Sequence, residues 1–183
     1  TSYTYITSEK TSKKYQGNGL GIMPAGDFTI PMIVGDIPDP ETKENLIALE
    51  SGYPKALGYD KDEDIIGETV TLGIKDEVTG KVKEFKAKVI GVQAPGVVAF
   101  NGAAGTKQLV KEVKDEVEKY YPEAKRNTYY AITARFDNSK YTESEIKQIL
   151  EDNGFEGMTV SDMSGMIHVF FDAMSVILNI FGG

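Results

Sequence analysis

Apolar and polar positions alternate with different periods in different parts of this chain. Residues 3–8, "YTYITS", alternate like a half-buried strand, and Lys13 to Gly21, "KKYQGNGLG", read as a polar, Gly-rich loop with Asn18-Gly19 as its turn pair. The stretch "GDFTIPMIVGDIPDPETKEN" has short apolar pieces, and Pro31, Pro38 and Pro40 exclude a long helix, so edge strands and turns are expected. Leu46–Leu49 reads as a short strand, and Ser51–Leu57 as a helical turn stopped by Gly58. Thr69–Ile74 and Lys83–Val92 flank the turn "KDEVTGK" and predict an antiparallel hairpin with one solvated side. Phe85, Ala87, Val89 and Gly91 share its inner face.

After Pro95-Gly96 come "VVAF" and a small-residue loop, "NGAAG". Thr106 then caps a helix that runs to about Tyr120, with Leu109, Val110, Val113, Val117 and Tyr120 at helical spacing and Pro122 ending it. "TYYAITARFD" (128–137) alternates as a strand. "YTESEIKQILEDNGF" reads as a helix with a Thr142–Glu145 capping box, an apolar face of Ile146, Ile149 and Leu150, and Gly154 at its end. "EGMTVSD" reads as a second strand, completing a β-α-β unit, and Ser161 or Asp162 caps the helix that follows.

That last segment, "GMIHVFFDAMSVILNIFGG" (165–183), has a different pattern. His168, Asp172, Ser175 and Asn179 are spaced 4, 3 and 4 and form one narrow polar stripe, extended by Gly165 and Gly182. Everything around it is apolar, whereas a surface helix of a soluble protein has an apolar stripe about 100° wide. Such a helix needs cover on most sides, from its own core, a partner helix or lipid. Nineteen helical residues rise about 28 Å, close to the hydrocarbon thickness of a bilayer. Asp172 disfavours full insertion, so a helix that enters the membrane near Val176 fits best. In water, residues 166–181 are expected to self-associate.

Composition narrows the function classes. A length of 183 residues allows one domain or two small lobes with a real core. The net charge of −8, with no basic patch interleaved with aromatics, argues against a nucleic-acid partner. With no Cys there is no disulfide, zinc-thiolate site or thiol catalysis, and a single His rules out a multi-His metal centre. "GNGLG" lacks the spacing of a phosphate loop and reads as plain loop. "NGAAG" is placed to cradle an anion at a helix start, but such starts are ordinary. "DKDED" (60–64) lacks the central Gly and the final Glu of a calcium loop and reads as a solvated acidic turn, as does "DPETKEN". His168 and Asp172, one turn apart, read as a structural polar contact, since no third group completes a triad. No catalytic, cofactor or metal residues are expected, and no cofactor. The absent initiator Met and the apolar C-terminal run read as a fragment of a longer chain.

Four stretches together resemble the extracytoplasmic domain of ABC transporter permeases of the MacB/FtsX-like superfamily: "VGDIPDPETKENLIALESGYPKALGYDKDEDIIGETVTL", "VTGKVKEFKAKVIGVQ", "YYAITARFDNSKYTESEIKQILEDNGFEGMTVSDM" and "IHVFFDAMSVILNIFGG". The resemblance spans roughly 34–93 and 128–183 and rests on order and spacing, with no catalytic fingerprint. The N-terminus and 97–121 depart from the pattern. The resemblance implies an α+β fold: a β-α-β porter-like lobe, a mostly antiparallel β Sabre-like lobe and a C-terminal stalk helix. It divides the chain into an N-terminal strand and loop (1–33), the Sabre-like lobe (34–96), the porter-like lobe (97–162) and the stalk with the start of a transmembrane helix (163–183). The implied role is non-catalytic mechanotransmission of ATP-driven motion, for export, extraction or signalling. The implied partners are a cytoplasmic ATP-binding cassette subunit, a second permease copy and the membrane at the C-terminal end, on the extracytoplasmic side of the bacterial cytoplasmic membrane. The stalk contacts would come from Ile167, His168, Phe170, Phe171, Asp172, Met174, Ile177, Leu178 and Phe181. A secreted or surface-attached module binding a peptide or glycan is the alternative. A hydrolase using the plentiful carboxylates is a third class, with no constellation behind it.

Overall fold

The computed structural model describes residues 1–23, 30–95, 102–123, 126, 136–159, 161–162, 165 and 168. The chain divides into two compact units, Thr1–Ala131 and Ile132–Gly183. The fold is α+β, with a mixed, mostly antiparallel sheet and few helices.

The first unit starts with a long hairpin. β1 (Tyr5–Ser8) pairs antiparallel with β2 (Thr11–Gln16), Tyr5 opposite Gln16 and Ile6 opposite Tyr15. The same register continues past Gly17, where Ser2 bridges Gly19 at the head of β3 (Gly19–Gly21). Lys13–Gly21, expected as a loop, is therefore mostly strand. Backbone pairing with residues 1–8 outweighs the polar composition, because every ladder amide finds a carbonyl.

β4 (Met32–Gly35) follows, then β5 (Leu46–Glu50), the four-residue helix α1 (Tyr53–Ala56) and a 3-10 turn at Asp62–Ile65. β6 (Thr69–Lys75) and β7 (Val82–Gln93) form the expected hairpin, and among the described residues β4 pairs only with β7, as an edge strand should. Ala87, Val89 and Gly91 are buried and Phe85 is half-buried, while Lys86 and Lys88 face solvent, as the alternation predicts. β5 is central, parallel to β7 on one side and antiparallel to β8 (Gly102–Gly105) on the other. The "NGAAG" loop is thus in large part a strand, buried at all four positions and parallel to β3 along its other edge. Small side chains read as loop when alone, yet Gly and Ala are what a strand between two packed layers accommodates.

These pairings return on themselves. The path β3–β8–β5–β7–β6–β1 leads into residues 1–3, which hydrogen-bond back to β3: Leu20 N–H donates to Thr1 O at 2.8 Å and Tyr3 N–H to Asn18 O at 3.2 Å. A closed ring leaves few unpaired edges. Alternation then separates two apolar clusters. Ile6, Leu20, Ile47, Leu49, Leu72, Val89 and Ala103 belong to the main core. Ala48 and Ala104 point the other way and meet Met23, with Ile30, Met32 and Ile37 against them. Both faces of β5 and β8 are therefore covered, which explains their uninterrupted "LIAL" and "GAAG".

α2 (Lys107–Glu118) adds Leu109 and Val113, both fully buried, with Val110, Val117 and Tyr120 against the same core. Burial of each large aliphatic side chain contributes roughly 1.5–3 kcal/mol. Thr106 occupies the N-cap position as expected, but its hydroxyl donates to Glu44 O (2.8 Å) instead of capping the helix.

In the second unit, α3 (Glu143–Asp152) carries the expected capping box, Thr142 with Glu145. Its C-terminus is a Schellman turn: Gly154 has φ +79°, Phe155 N–H reaches Leu150 O and Gly154 N–H reaches Glu151 O, both 2.9 Å. The strand expected at "EGMTVSD" is not formed over 156–159, and Ser161 and Asp162 are helical. Thr159 prefers a capping turn there to an extended ladder. Most of "TYYAITARFD" lies outside the described residues.

Candidate functional site

The sequence places its candidate site on the terminal helix. Of the nine stalk residues, His168 is described, helical and exposed; Ile167, Phe170, Phe171, Asp172, Met174, Ile177, Leu178 and Phe181 lie outside the described residues. Among the described residues, no helix is long and apolar enough to cross a membrane.

The geometry is clear at the head of that helix. Thr159 and Asp162 form a capping box: Thr159 N–H donates to Asp162 Oδ2 at 2.7 Å and Thr159 Oγ1 to the same oxygen at 2.9 Å. Asp162 N–H donates back to Thr159 Oγ1 at 3.3 Å. Thr159 is therefore the cap, where Ser161 or Asp162 was expected. A backbone cap needs an oxygen three residues ahead of the amide it receives, and Thr159 has that spacing.

The other carboxylate oxygen faces α3. Lys147 Nζ donates to Asp162 Oδ1 at 2.6 Å, and Ser161 Oγ donates to Glu143 Oε1 at 3.1 Å. Lys147 and the Thr159 donors pull the Asp162 pKa down to about 2, the Lys147 hydrogen bond contributing most. Ser161 and Asp162 are thus latched to the N-terminal half of α3 (Glu143 and Lys147) by two side-chain contacts. Such a latch has no covalent chemistry, but it resists separation of the Thr159–Asp162 cap from α3. The "T-V-S-D" box at 159–162 was readable as a capping motif; the Lys147 contact, fifteen residues away, had no local signal.

In the first unit, described groups of the motifs weighed from the sequence are engaged by the chain itself. Two amides at the start of α2 bond to the chain itself: Thr106 N–H donates to Leu46 O at 3.2 Å and Lys107 N–H to Pro40 O at 3.1 Å. Asp64 in the "DKDED" turn accepts from Lys61 N–H at 3.2 Å, closing a small cap over buried Ile65. Tyr3 is buried, and desolvation pushes its phenol pKa far up, with Tyr53 and Glu50 adding to the effect. Glu50 is raised by burial too, while Asn18 Nδ2 donates to it at 2.9 Å. Tyr3, Glu50 of β5 and Tyr53 of α1 thus adjoin one another, with Asn18, just before β3, bonded to Glu50. Among the described residues, no three His, Asp or Glu side chains converge as a metal site.

The chain thus belongs to the class of α+β proteins with a mixed, mostly antiparallel sheet. No family model, no curated protein and no solved structure matches it.

Proposed function

We propose that the chain is a non-catalytic extracytoplasmic domain of an ABC transporter permease of the MacB/FtsX-like kind, transmitting ATP-driven motion across the membrane for export, extraction or signalling. The observation that carries this reading is the latch at Asp162. The cap at Thr159–Asp162, which leads into the largely apolar sequence 165–183, is tied to α3 through Lys147 and Glu143. Displacement of that segment is then felt by α3 before any local unfolding. The closed strand ring of the first unit supplies a stiff body for a moving partner to push against, since packed interiors transmit strain. In this reading the Sabre-like lobe covers 34–96, the porter-like lobe 97–162 and the stalk 163–183. ATP hydrolysis belongs to a separate cytoplasmic cassette subunit, and a second permease copy covers the apolar faces of the stalk.

The experiment is a tagged purification of the native protein from detergent-solubilised membranes. The expected result is co-purification of an ATP-binding cassette subunit whose ATPase activity persists in Lys147→Ala and Asp162→Ala variants while the coupled export or signalling output is lost. Recovery of the native protein from the secreted fraction, with no such subunit, would show the peptide- or glycan-binding module instead.

A further inference from the structure

The loop between β4 and β5 contains Asp39–Pro40, the one Asp–Pro bond of the chain. Its surroundings hold it in a defined turn. Asp39 Oδ1 accepts from Glu41 N–H at 3.0 Å, and Asp39 O accepts from Thr42 N–H at 3.1 Å. An Asx turn and a β-turn thus share residues 39–42, with Pro in its favoured second place. The segment that follows is stitched to the head of α2. Lys107 N–H donates to Pro40 O, Lys107 Nζ to Glu41 Oε1, Thr106 Oγ1 to Glu44 O and Thr106 N–H to Leu46 O. On the other side of the bond Pro38 is buried, while Asp39 itself is exposed to water. A reactive peptide bond is therefore clamped from both ends at a wet surface.

We propose that Asp39–Pro40 is a self-cleavage site in acid, promoted by the folded turn, and that the cut chain keeps its strand ring. The Asx turn folds the carboxyl back over the peptide group that follows it. A carboxyl oxygen attacks the Asp39 carbonyl carbon, and the new C–O bond closes a five-membered cyclic anhydride. The C–N bond to Pro40 breaks, and the carboxyl proton passes to the Pro40 nitrogen. Water then opens the anhydride, leaving Asp39 as a free C-terminus and Pro40 as a free secondary amine, with no other reactant consumed. Thr42 N–H already points at the oxygen on which negative charge develops, where a fixed donor lowers the barrier. Pro40 closes the competing route. It has no N–H, so it does not attack the Asp39 side chain to give a succinimide. The ladders β1–β6, β3–β8 and β4–β7 each join the piece before the cut to the piece after it, so the two pieces stay together. None of this requires the permease reading.

The test is incubation of the full chain at about pH 4, where free aspartyl side chains are about half protonated, followed by mass spectrometry of the products. A synthetic peptide of residues 33–47 supplies the rate without the fold. The full chain is expected to yield residues 1–39 and 40–183 about tenfold or more faster than the peptide is cut, the scale of one hydrogen bond to a charged oxygen. Asp39→Asn should stop the cleavage by removing the acid, and Asp39→Glu by enlarging the ring that must close. Thr42→Pro, which removes the donor, should bring the full chain down to the peptide's rate while circular dichroism stays unchanged. The two pieces should co-elute at the volume of the uncut chain and part only in denaturant. A full-chain rate equal to or below the peptide's, cleavage that survives either Asp39 variant, an undiminished rate in Thr42→Pro, or pieces that part without denaturant would each overturn the proposal. So would a circular dichroism spectrum at pH 4 that shows the chain unfolded, since the folded turn would then not be the cause.

Discussion

At the residue scale, two side-chain arrangements have consequences that can be measured. Tyr5 lies opposite Gly73 on β6, and a Cβ on Gly73 would stand 2.1 Å from the ring's Cζ. The ring fills the space a side chain would occupy, Lys14 Nζ caps it 4.0 Å from its centroid, and the tyrosine is 7 % exposed although it faces away from the core. Gly73→Ala must therefore displace the ring, and urea denaturation should show a loss of about 1–3 kcal/mol, as for other overpacked sites. Tyr5→Ala/Gly73→Ala should recover part of it, because the clash is gone. The second arrangement is Asp162. Its folded pKa of about 2 lies below the ordinary value of 3.8, so its contribution is complete above pH 4 and is lost as pH falls from about 4 through 2. An NMR titration of the Asp162 carboxyl should have its midpoint near 2 in the unmodified chain and move upward in Lys147→Ala. An unmoved midpoint would remove Lys147 as the principal cause.

At the element scale, α3 shows which local signals survive folding. Its start and stop were both legible, because a Thr-x-x-Glu box and a Gly at positive φ act within one turn and need no distant partner. Thr142→Ala should cost about 1 kcal/mol of helix stability and be visible as faster amide exchange over Ser144–Ile146. Equal exchange rates would mean that tertiary contacts, and not the cap, hold the first turn. The hairpin β6–β7 was legible for a similar reason, since its turn and alternation are contiguous. β2, β3 and β8 were not. Their strand character comes from partners at a distance: Gly102–Gly105 exists as a strand because β3 and β5 lie on either side, and nothing in four small residues announces that. The terminal cap falls between these cases. Thr159–Asp162 carries a local motif inside a stretch, 156–162, whose composition also suits a strand.

At the scale of the molecule, the ring closure was the least legible feature, because it joins residues 1–3 to β3 through one bridge and a few backbone hydrogen bonds. It also assigns where stability resides. Among the described residues, every buried apolar residue of the two core clusters lies between Tyr3 and Val113, and α3 has no buried residue. The first unit should therefore fold without the second. A fragment of residues 1–123 is expected to unfold cooperatively in urea, with a midpoint close to that of the main transition of the full chain, since it keeps the whole described core. Removing residues 1–3 from that fragment opens the ring and withdraws Tyr3, which is 3 % exposed. Loss of a buried aromatic side chain typically costs 3–5 kcal/mol, so the midpoint should fall steeply. If instead the 1–123 fragment lacks a cooperative transition, the second unit supplies part of the folding energy. If removal of residues 1–3 leaves the midpoint unchanged, the ring is held by its other ladders and its closure contributes little.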